Sequence, residues 1–279
     1  MGSPFKLAMG QMLVSGGEPA QNLDRAVAMI ADAARIGCAA IVLPECLDVG
    51  WTHPLARELA EPIPGPRSNR LCTAAERYSI YVTAGLTERA GERVYNSAIL
   101  ISDAGEIILK HRKINILKVA QDLYSTGDSL GIVDTPIGKL GVSICADNFH
   151  DSLALAHSMA RMGMQILLSP CAWAVKPDFD HEETPYGATW IKPYTELAGL
   201  YDVTVVGVSN VGPISDGVWK GRKCIGCSLA VGPGGVVIAR APYGVNAEAL
   251  LPVEVAPIPR TVTGTDISAM LEAKGCKRP

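Results

Sequence analysis

The sequence predicts an α/β fold in which two sheet halves pack face to face with helices outside. Three observations predict it. Segments of strand character alternate with segments of helical periodicity along the chain. Residues 39–43 form a continuous apolar run, the composition of a strand buried on both faces. A short unit also recurs: Gly37 to Pro44 contains Ile41-Val42-Leu43, and Gly163 to Pro170 contains Ile166-Leu167-Leu168, each after a helix-like stretch.

The elements follow in order. Residues 6–14 read as a strand, and 20–35 as an amphipathic helix with Leu23, Val27, Ile30 and Ala34 on one face. The strand 39–43 comes next. A turn-rich stretch, 61–66, precedes a helix over 67–78. Strands over 80–86, 95–102 and 106–110 have short connections and read as an antiparallel series, with Asp103-Ala104-Gly105 as a tight turn. The second half repeats the alternation: strand 140–145, helix 151–162, strand 165–169, helix 187–201 and strand 203–210. A hairpin, 226–231 with 236–240, closes around Gly232-Pro233-Gly234-Gly235. Beyond about 252 the chain is Pro-rich and reads as an irregular tail. No stretch has linker composition, so residues 1–279 are expected to form one domain.

Composition narrows the function classes. The 279 residues are 48% apolar, with 25 Lys and Arg against 28 Asp and Glu, a formal charge of −3. That balance offers no electrostatic footprint for nucleic acid and no polybasic membrane patch. The N-terminus lacks a secretory signal, and His157 and Arg161 interrupt the longest apolar stretch, 152–175, so no membrane span is expected. Cysteines stand at 38, 46, 72, 145, 171, 224, 227 and 276, mostly in apolar runs. They read as reduced core thiols of a cytoplasmic protein, not as a disulfide framework.

Cys145 is the most informative residue. It ends the strand Gly141-Val142-Ser143-Ile144-Cys145, and a helix-like segment begins near Asp151. A thiol facing a helix N-terminus is favoured as thiolate. Glu45 ends the strand Ile41-Val42-Leu43-Pro44-Glu45, and Lys113 follows the strand 106–110. A base, a cation and a thiol, each at a strand end, are the parts of an acyl-transfer site. The carboxylate can take the thiol proton and pass it to a leaving nitrogen. The lysine and backbone N–H groups near Ala146 can stabilise the oxyanion. Each residue also has an ordinary reading. Buried cysteines are usually inert. Glu45 could be a loop carboxylate, although burying it unpaired would be costly. Lys113 sits in the charge run Lys110-His111-Arg112-Lys113, the pattern of a solvated face.

These residues stand in a wider series of motifs. Asn22-Leu23 opens the first helix, and Leu43-Pro44-Glu45 follows. Tyr95-Asn96-Ser97-Ala98 precedes Gly105-Glu106 and His111-Arg112-Lys113-Ile114. Gly127-Asp128 leads to the run Asp134-Thr135-Pro136-Ile137-Gly138-Lys139-Leu140-Gly141, and Cys145 is followed by Asp147. Ser169-Pro170-Cys171-Ala172-Trp173 and Gly226-Cys227-Ser228 complete the order. In this order, over about residues 6–240, the chain resembles the nitrilase superfamily of carbon–nitrogen hydrolases. The resemblance implies a four-layer α-β-β-α sandwich, a Glu45-Lys113-Cys145 triad, no metal and no cofactor, and homodimers or larger homo-oligomers. It implies hydrolysis of a non-peptide C–N bond in a small amide, carbamoyl or nitrile compound, with amide or carbamoyl substrates ahead of nitriles.

Three departures qualify what carries over. Members commonly have a second glutamate before the Gly-Asp pair; here 119–124 has none, and Asp122 is the candidate substitute. The usual Phe-Pro-Glu after the nucleophile is replaced by Phe149-His150-Asp151. An Arg-Ala-x-Glu-Asn pattern is missing from the later helix, where Leu200 and Tyr201 take the nearest register to its Glu-Asn. The missing glutamate keeps a non-catalytic, metabolite-binding relative in view, and acyl transfer to an amine would use the same triad. Trp51, Tyr124, Ala146, Asn148, His150 and Trp173 are candidates for the substrate pocket, whose shape depends on loops 46–60, 114–126 and 174–188. Cys224-Ile225-Gly226-Cys227 lacks the second ligand pair of a zinc site and the strand-to-helix setting of a redox motif.

Overall fold

The computed structural model of the chain describes residues 3–259, and beyond them residues 269, 272, 273 and 275. The chain order begins β1 Phe5–Gln11, α1 Pro19–Arg35, β2 Ala40–Val42, α2 Ala56–Leu59, α3 Pro66–Tyr78, β3 Tyr81–Ala90, β4 Arg93–Ile101 and β5 Ile107–Arg112. It continues with β6 Ile132–Thr135, β7 Gly138–Val142, α4 Ala154–Arg161, β8 Ile166–Cys171, β9 Ala174–Val175 and α5 Ala188–Tyr201. Strands β10 Thr204–Ser209, β11 Val211–Pro213, β12 Lys223–Ile225, β13 Leu229–Gly232, β14 Val236–Arg240 and β15 Ala249–Val255 complete it.

Two six-stranded sheets dominate, in the orders β15-β1-β2-β3-β4-β5 and β14-β13-β10-β8-β7-β6. The recurring sequence unit is the visible part of a pseudo-repeat. In one sheet β1, β2 and β3 run parallel, with β4 and β15 antiparallel at the flanks. In the other β7, β8 and β10 run parallel, with β13 and β6 antiparallel. The two Ile-rich runs become β2 and β8, at equivalent places. Gly37 and Gly163, which open them, both have positive φ (79° and 103°), a conformation glycine adopts without a Cβ penalty.

Alternation along β1 and β2 places the layers. Leu7, Met9, Ala40 and Val42 join a core shared with Leu140, Val142 and Leu168 of the facing sheet. Ala8, Ile41 and Leu43 point the other way, into a core with Leu23, Ala26 and Ile30 of α1 and Leu71 and Ala75 of α3. Both faces of β2 are therefore buried, which is why its sequence does not alternate. Helices α4 and α5 cover the second sheet, giving the four-layer α-β-β-α sandwich.

Local differences have physical causes. The buried stripe of α1 is Asn22, Leu23, Ala26, Ile30 and Ala33, rotated from the expected one. Val27 and Ala34 are only half-buried. Asn22 draws the helix round, because its side chain donates to the carbonyls of Ser15 (2.7 Å) and Asp48 (2.8 Å). The tail expected from about 252 begins later. β15 continues to Val255 and pairs with the whole of β1, so Leu250 to Val255 close the sheet edge. Residues 260–268, and most of those after, lie outside the described residues. No helix among the described residues is long and apolar enough to cross a membrane.

Candidate active site

Glu45, Lys113 and Cys145 follow β2, β5 and β7 at one edge of the sandwich, the end where parallel strands deliver side chains to a site. Lys113 Nζ donates to Glu45 Oε1 at 2.6 Å, and Asn96 Nδ2 donates to the same oxygen at 2.6 Å. Both charged residues are almost fully buried, at 1% and 2% exposure. Glu45 Oε2 is buried with no hydrogen-bond partner. One oxygen thus anchors the carboxylate, and the other is left to accept a proton. Gly85 makes room for the turn: a Cβ there would lie 2.5 Å from the Glu45 Cα. Its amide donates to the Pro44 carbonyl at 3.0 Å. The Glu45 amide donates across the sheets to the Cys171 carbonyl at 3.2 Å, so the ends of the equivalent strands β2 and β8 meet at the site.

Cys145 departs from its expected setting. The strand stops at Val142, and Cys145 opens a short 3-10 turn through Asn148, with a left-handed φ of 45°. Non-glycine residues in that region carry strain of order 1–3 kcal/mol, held by their surroundings. Here the Cys145 amide donates to Ser169 Oγ (3.2 Å), and Asn148 Nδ2 donates to Ser143 Oγ (2.8 Å) and Ser169 Oγ (2.9 Å). Helix α4 starts only at Ala154, beyond a second 3-10 turn. No helix N-terminus therefore stabilises a thiolate. Burial, a hydrogen bond with Cys171 and the Glu45 charge push the Cys145 thiol well up, against the pull of Lys113. Burial also works against the Lys113 charge, but the Glu45 carboxylate, helped by Cys145 and Asp147, outweighs it and holds the ammonium above its ordinary range.

Asp147 ties the elements together, a role its place in the motif series did not reveal. Its Oδ2 faces His111 Nε2 (2.8 Å) and accepts from the Ile144 amide (3.0 Å). Its Oδ1 accepts from the amides of Ile114 (3.1 Å) and Asn115 (2.7 Å). Burial opposes its ionisation, but hydrogen bonding and the His111 and Lys113 charges hold it below the usual carboxylate range. The segment carrying Lys113 is thereby clamped to the turn carrying Cys145. Asn115 Nδ2 adds a bond to the Ala146 carbonyl at 2.7 Å.

Lys113 and Cys145 open into one cleft of about 220 Å³ with Trp51, Trp173, Phe149, Tyr186, Trp190 and Trp219. Of the sequence candidates for the pocket, Trp51 and Trp173 line this cleft. The other candidates are not in the wall. His150 is exposed and meets Glu196 Oε2 at 3.0 Å, because the two successive turns swing it outward and Phe149 inward. Asn148 is spent on pinning the turn. Ala146 is fully buried, its carbonyl accepting from Asn115 and Ser152 Oγ (3.1 Å). Tyr124 is buried behind Glu45, where its hydroxyl accepts from the Thr52 amide at 3.1 Å and lies 3.7 Å from Cys46 Sγ. Asp122 is exposed beside Arg57, which bonds its carbonyl, in a separate depression with Arg89 and Arg93. Its carboxylate does not reach the cleft.

The sequence reading missed Trp190, Trp219, Phe149 and Tyr186 as wall residues. No local motif marks Trp190 or Trp219, whereas Phe149 stands in the motif after the nucleophile and Tyr186 falls in one of the three loops expected to shape the pocket. Cys224 and Cys227 are free, buried thiols, pushed up to about 12 and about 11, chiefly by burial. Among the described residues, no group of three or more His, Cys, Asp or Glu side chains is placed to hold a metal.

Comparison with known proteins bears on the whole arrangement. The carbon-nitrogen hydrolase family model matches residues 6–257. Omega-amidase NIT2 of Xenopus tropicalis is 33% identical over 179 residues, covering 61% of this chain and 64% of the relative. Human omega-amidase NIT2 is 31% identical over the same shares. The match thus spans less than two thirds of these relatives. Among solved structures, the carbon-nitrogen hydrolase from Helicobacter pylori G27 superposes with a TM-score of 0.81 at 21% identity, covering 98% of this chain and 93% of that one. A variant of the Nesterenkonia AN1 amidase from the nitrilase superfamily gives 0.76 at 20% identity, covering 92% of each chain. These low-identity likenesses speak for the fold, and the family match runs through every strand of both sheets. The chain belongs to the carbon-nitrogen hydrolase family.

Proposed function

We propose that the chain hydrolyses a non-peptide C–N bond of a small amide through a Cys145 thioester, with Glu45 and Lys113 completing the catalytic set. The observation that carries this reading is the Glu45 carboxylate, one oxygen held by Lys113 and Asn96 and the other free, beside a cleft that exposes Cys145.

In this mechanism Glu45 Oε2 takes the thiol proton as Cys145 Sγ attacks the amide carbon. Lys113, which lines the cleft beside Cys145, stabilises the oxyanion. Glu45 then returns the proton to the leaving nitrogen, the C–N bond breaks, and ammonia or an amine departs. A water deprotonated by Glu45 attacks the thioester, and the acid leaves as Cys145 regains its proton. Because burial raises the Cys145 thiol, attack is coupled to proton transfer to Glu45. Glu45 serves both half-reactions, since Asp122 lies outside the cleft.

The test is ammonia or amine release from a panel of amides, carbamoyl amino acids and nitriles, with Cys145→Ala as control. Turnover that survives in a folded Cys145→Ala variant removes the proposal. The absent second glutamate favours one rival, a binding protein without catalysis. Stoichiometric alkylation of Cys145 by iodoacetamide near neutral pH supports the enzyme, and an inert thiol supports the rival. We further propose that residues 1–279 act as one domain, in the cytoplasm, as a homodimer or larger homo-oligomer. Sedimentation equilibrium tests the assembly.

A further inference from the structure

We propose that the Cys145 cleft selects uncharged amides with a compact, flat, apolar acyl group and discriminates against amides bearing a distal carboxylate. The inference rests on the amidase reading above and names its substrate class.

The chain has four tryptophans, and all four, Trp51, Trp173, Trp190 and Trp219, line this one cleft. They are arranged as faces. Trp173 stacks on Trp190, with centroids 4.8 Å apart and planes at 19°, and Phe149 stacks on Trp190 at 5.0 Å and 23°. Trp51 and Trp219 meet at 4.4 Å on a tilt. A substrate whose carbonyl reaches Cys145 and Lys113 must therefore lay its acyl group among aromatic rings. Flat apolar groups gain most there, from burial and ring stacking. The volume, about 220 Å³, lies below the roughly 300–1,000 Å³ of drug-sized sites and suits a group of about one ring.

Charge argues the same way. Among the described lining residues Lys113 is the only charged one, and Glu45 already neutralises it at 2.6 Å. A second carboxylate would be desolvated without a partner. Behind the wall, the Arg222 guanidinium lies 4.2 Å from the Trp219 ring centre. It belongs to a neighbouring depression across Ala174, where Asp178, Asp180 and Glu183 outnumber Lys176 and Arg222. An approaching anion meets acid there.

The experiment compares kcat/KM for phenylacetamide and isobutyramide with that for succinamic acid, the monoamide of succinic acid. The apolar amides are expected to lead by at least about 100-fold. Binding is read separately in Cys145→Ala by quenching of tryptophan fluorescence, which reports on this cleft alone because every tryptophan lines it. Saturable quenching by phenylacetamide and none by succinamic acid at the same concentrations is expected. Trp219→Arg, in a half-buried loop position, and Thr189→Arg, at an exposed position on the cleft, place a cation at the mouth without opening the core. Each is expected to shift the preference toward succinamic acid by tenfold or more. Equal or better turnover of succinamic acid by the unaltered protein overturns the substrate class and leaves the amidase reading standing. Failure of both arginine variants to move the preference, with melting temperatures unchanged, also overturns it. Saturable quenching by phenylacetamide without turnover of any amide overturns the amidase reading instead.

Discussion

Replacing Asp147 with asparagine tests how the Lys113 segment is held against Cys145. All contacts the carboxylate makes with backbone are acceptor contacts: Oδ1 takes two amide protons and Oδ2 takes one while facing His111. Asparagine offers one acceptor oxygen. In its cheaper orientation the amide oxygen keeps Ile114 and Asn115, and the NH₂ group faces the Ile144 N–H, donor against donor. His111 can adjust by changing tautomer, but its charge-assisted bond is lost. A buried donor left unsatisfied costs about 1–3 kcal/mol, and a hydrogen bond to a charged group is worth about 1.5–3 kcal/mol. The sum is about 2.5–6 kcal/mol. Loosening the clamp also displaces Lys113 relative to Cys145, and a shift near 1 Å costs on the order of 100-fold in rate. Guanidinium unfolding and steady-state kinetics measure the two effects. The expected result is a stability loss of about 2.5–6 kcal/mol with kcat down about 10- to 100-fold and KM changed little, since Asp147 does not line the cleft. A variant within about 0.5 kcal/mol of the parent and fully active would refute the clamp.

Three further outcomes follow from the same geometry. Glu45→Gln keeps the anchoring oxygen but removes the free proton acceptor, so kcat should fall more than about 100-fold with the fold intact, as circular dichroism can verify; near-normal rates would move proton transfer to another group. Gly85→Ala puts a methyl 2.5 Å from the Glu45 Cα and 2.8 Å from the Pro44 carbonyl oxygen, backbone atoms that cannot yield cheaply, so activity and melting temperature should both drop; an active, equally stable variant would contradict the close approach. Glu88 is nearly fully buried, and burial alone would push its carboxyl up, yet bonds from Arg112, Lys110 and Ser97 hold it at about 2 instead of 4.5. Its folded value is depressed, so its stabilisation, roughly 3 kcal/mol, is present above pH 4.5 and is lost as pH falls toward about 2. Glu88→Gln should lose that amount at pH 7 and flatten the acid limb of a stability–pH curve; an unchanged limb would show that other carboxylates govern it.

Glu45, Lys113 and Cys145 could be singled out in the sequence because each sits in a short motif at the end of an apolar strand, a pattern carried by local spacing. The repeat was legible because β2 and β8 are the most deeply sandwiched strands and read as uninterrupted apolar runs. His150 was misread because facing direction after a strand depends on turn geometry, and two 3-10 turns replaced the expected helix start. Trp190 and Trp219 were illegible as wall residues because they come from segments with no spacing rule to Cys145 or to Trp51 and Trp173, which the sequence had already offered as candidates.

By itself the sequence determined which side chains must end the strands and that two similar sheets would bury them, because burial and periodicity are written residue by residue. Tertiary structure alone decided that burial raises the Cys145 thiol, that one Glu45 oxygen stays free, and that, among the described residues, aromatic side chains line the cleft with Lys113 as its one charged group. Those properties depend on what lies within a few ångströms through space, and folding brings those neighbours from distant parts of the chain.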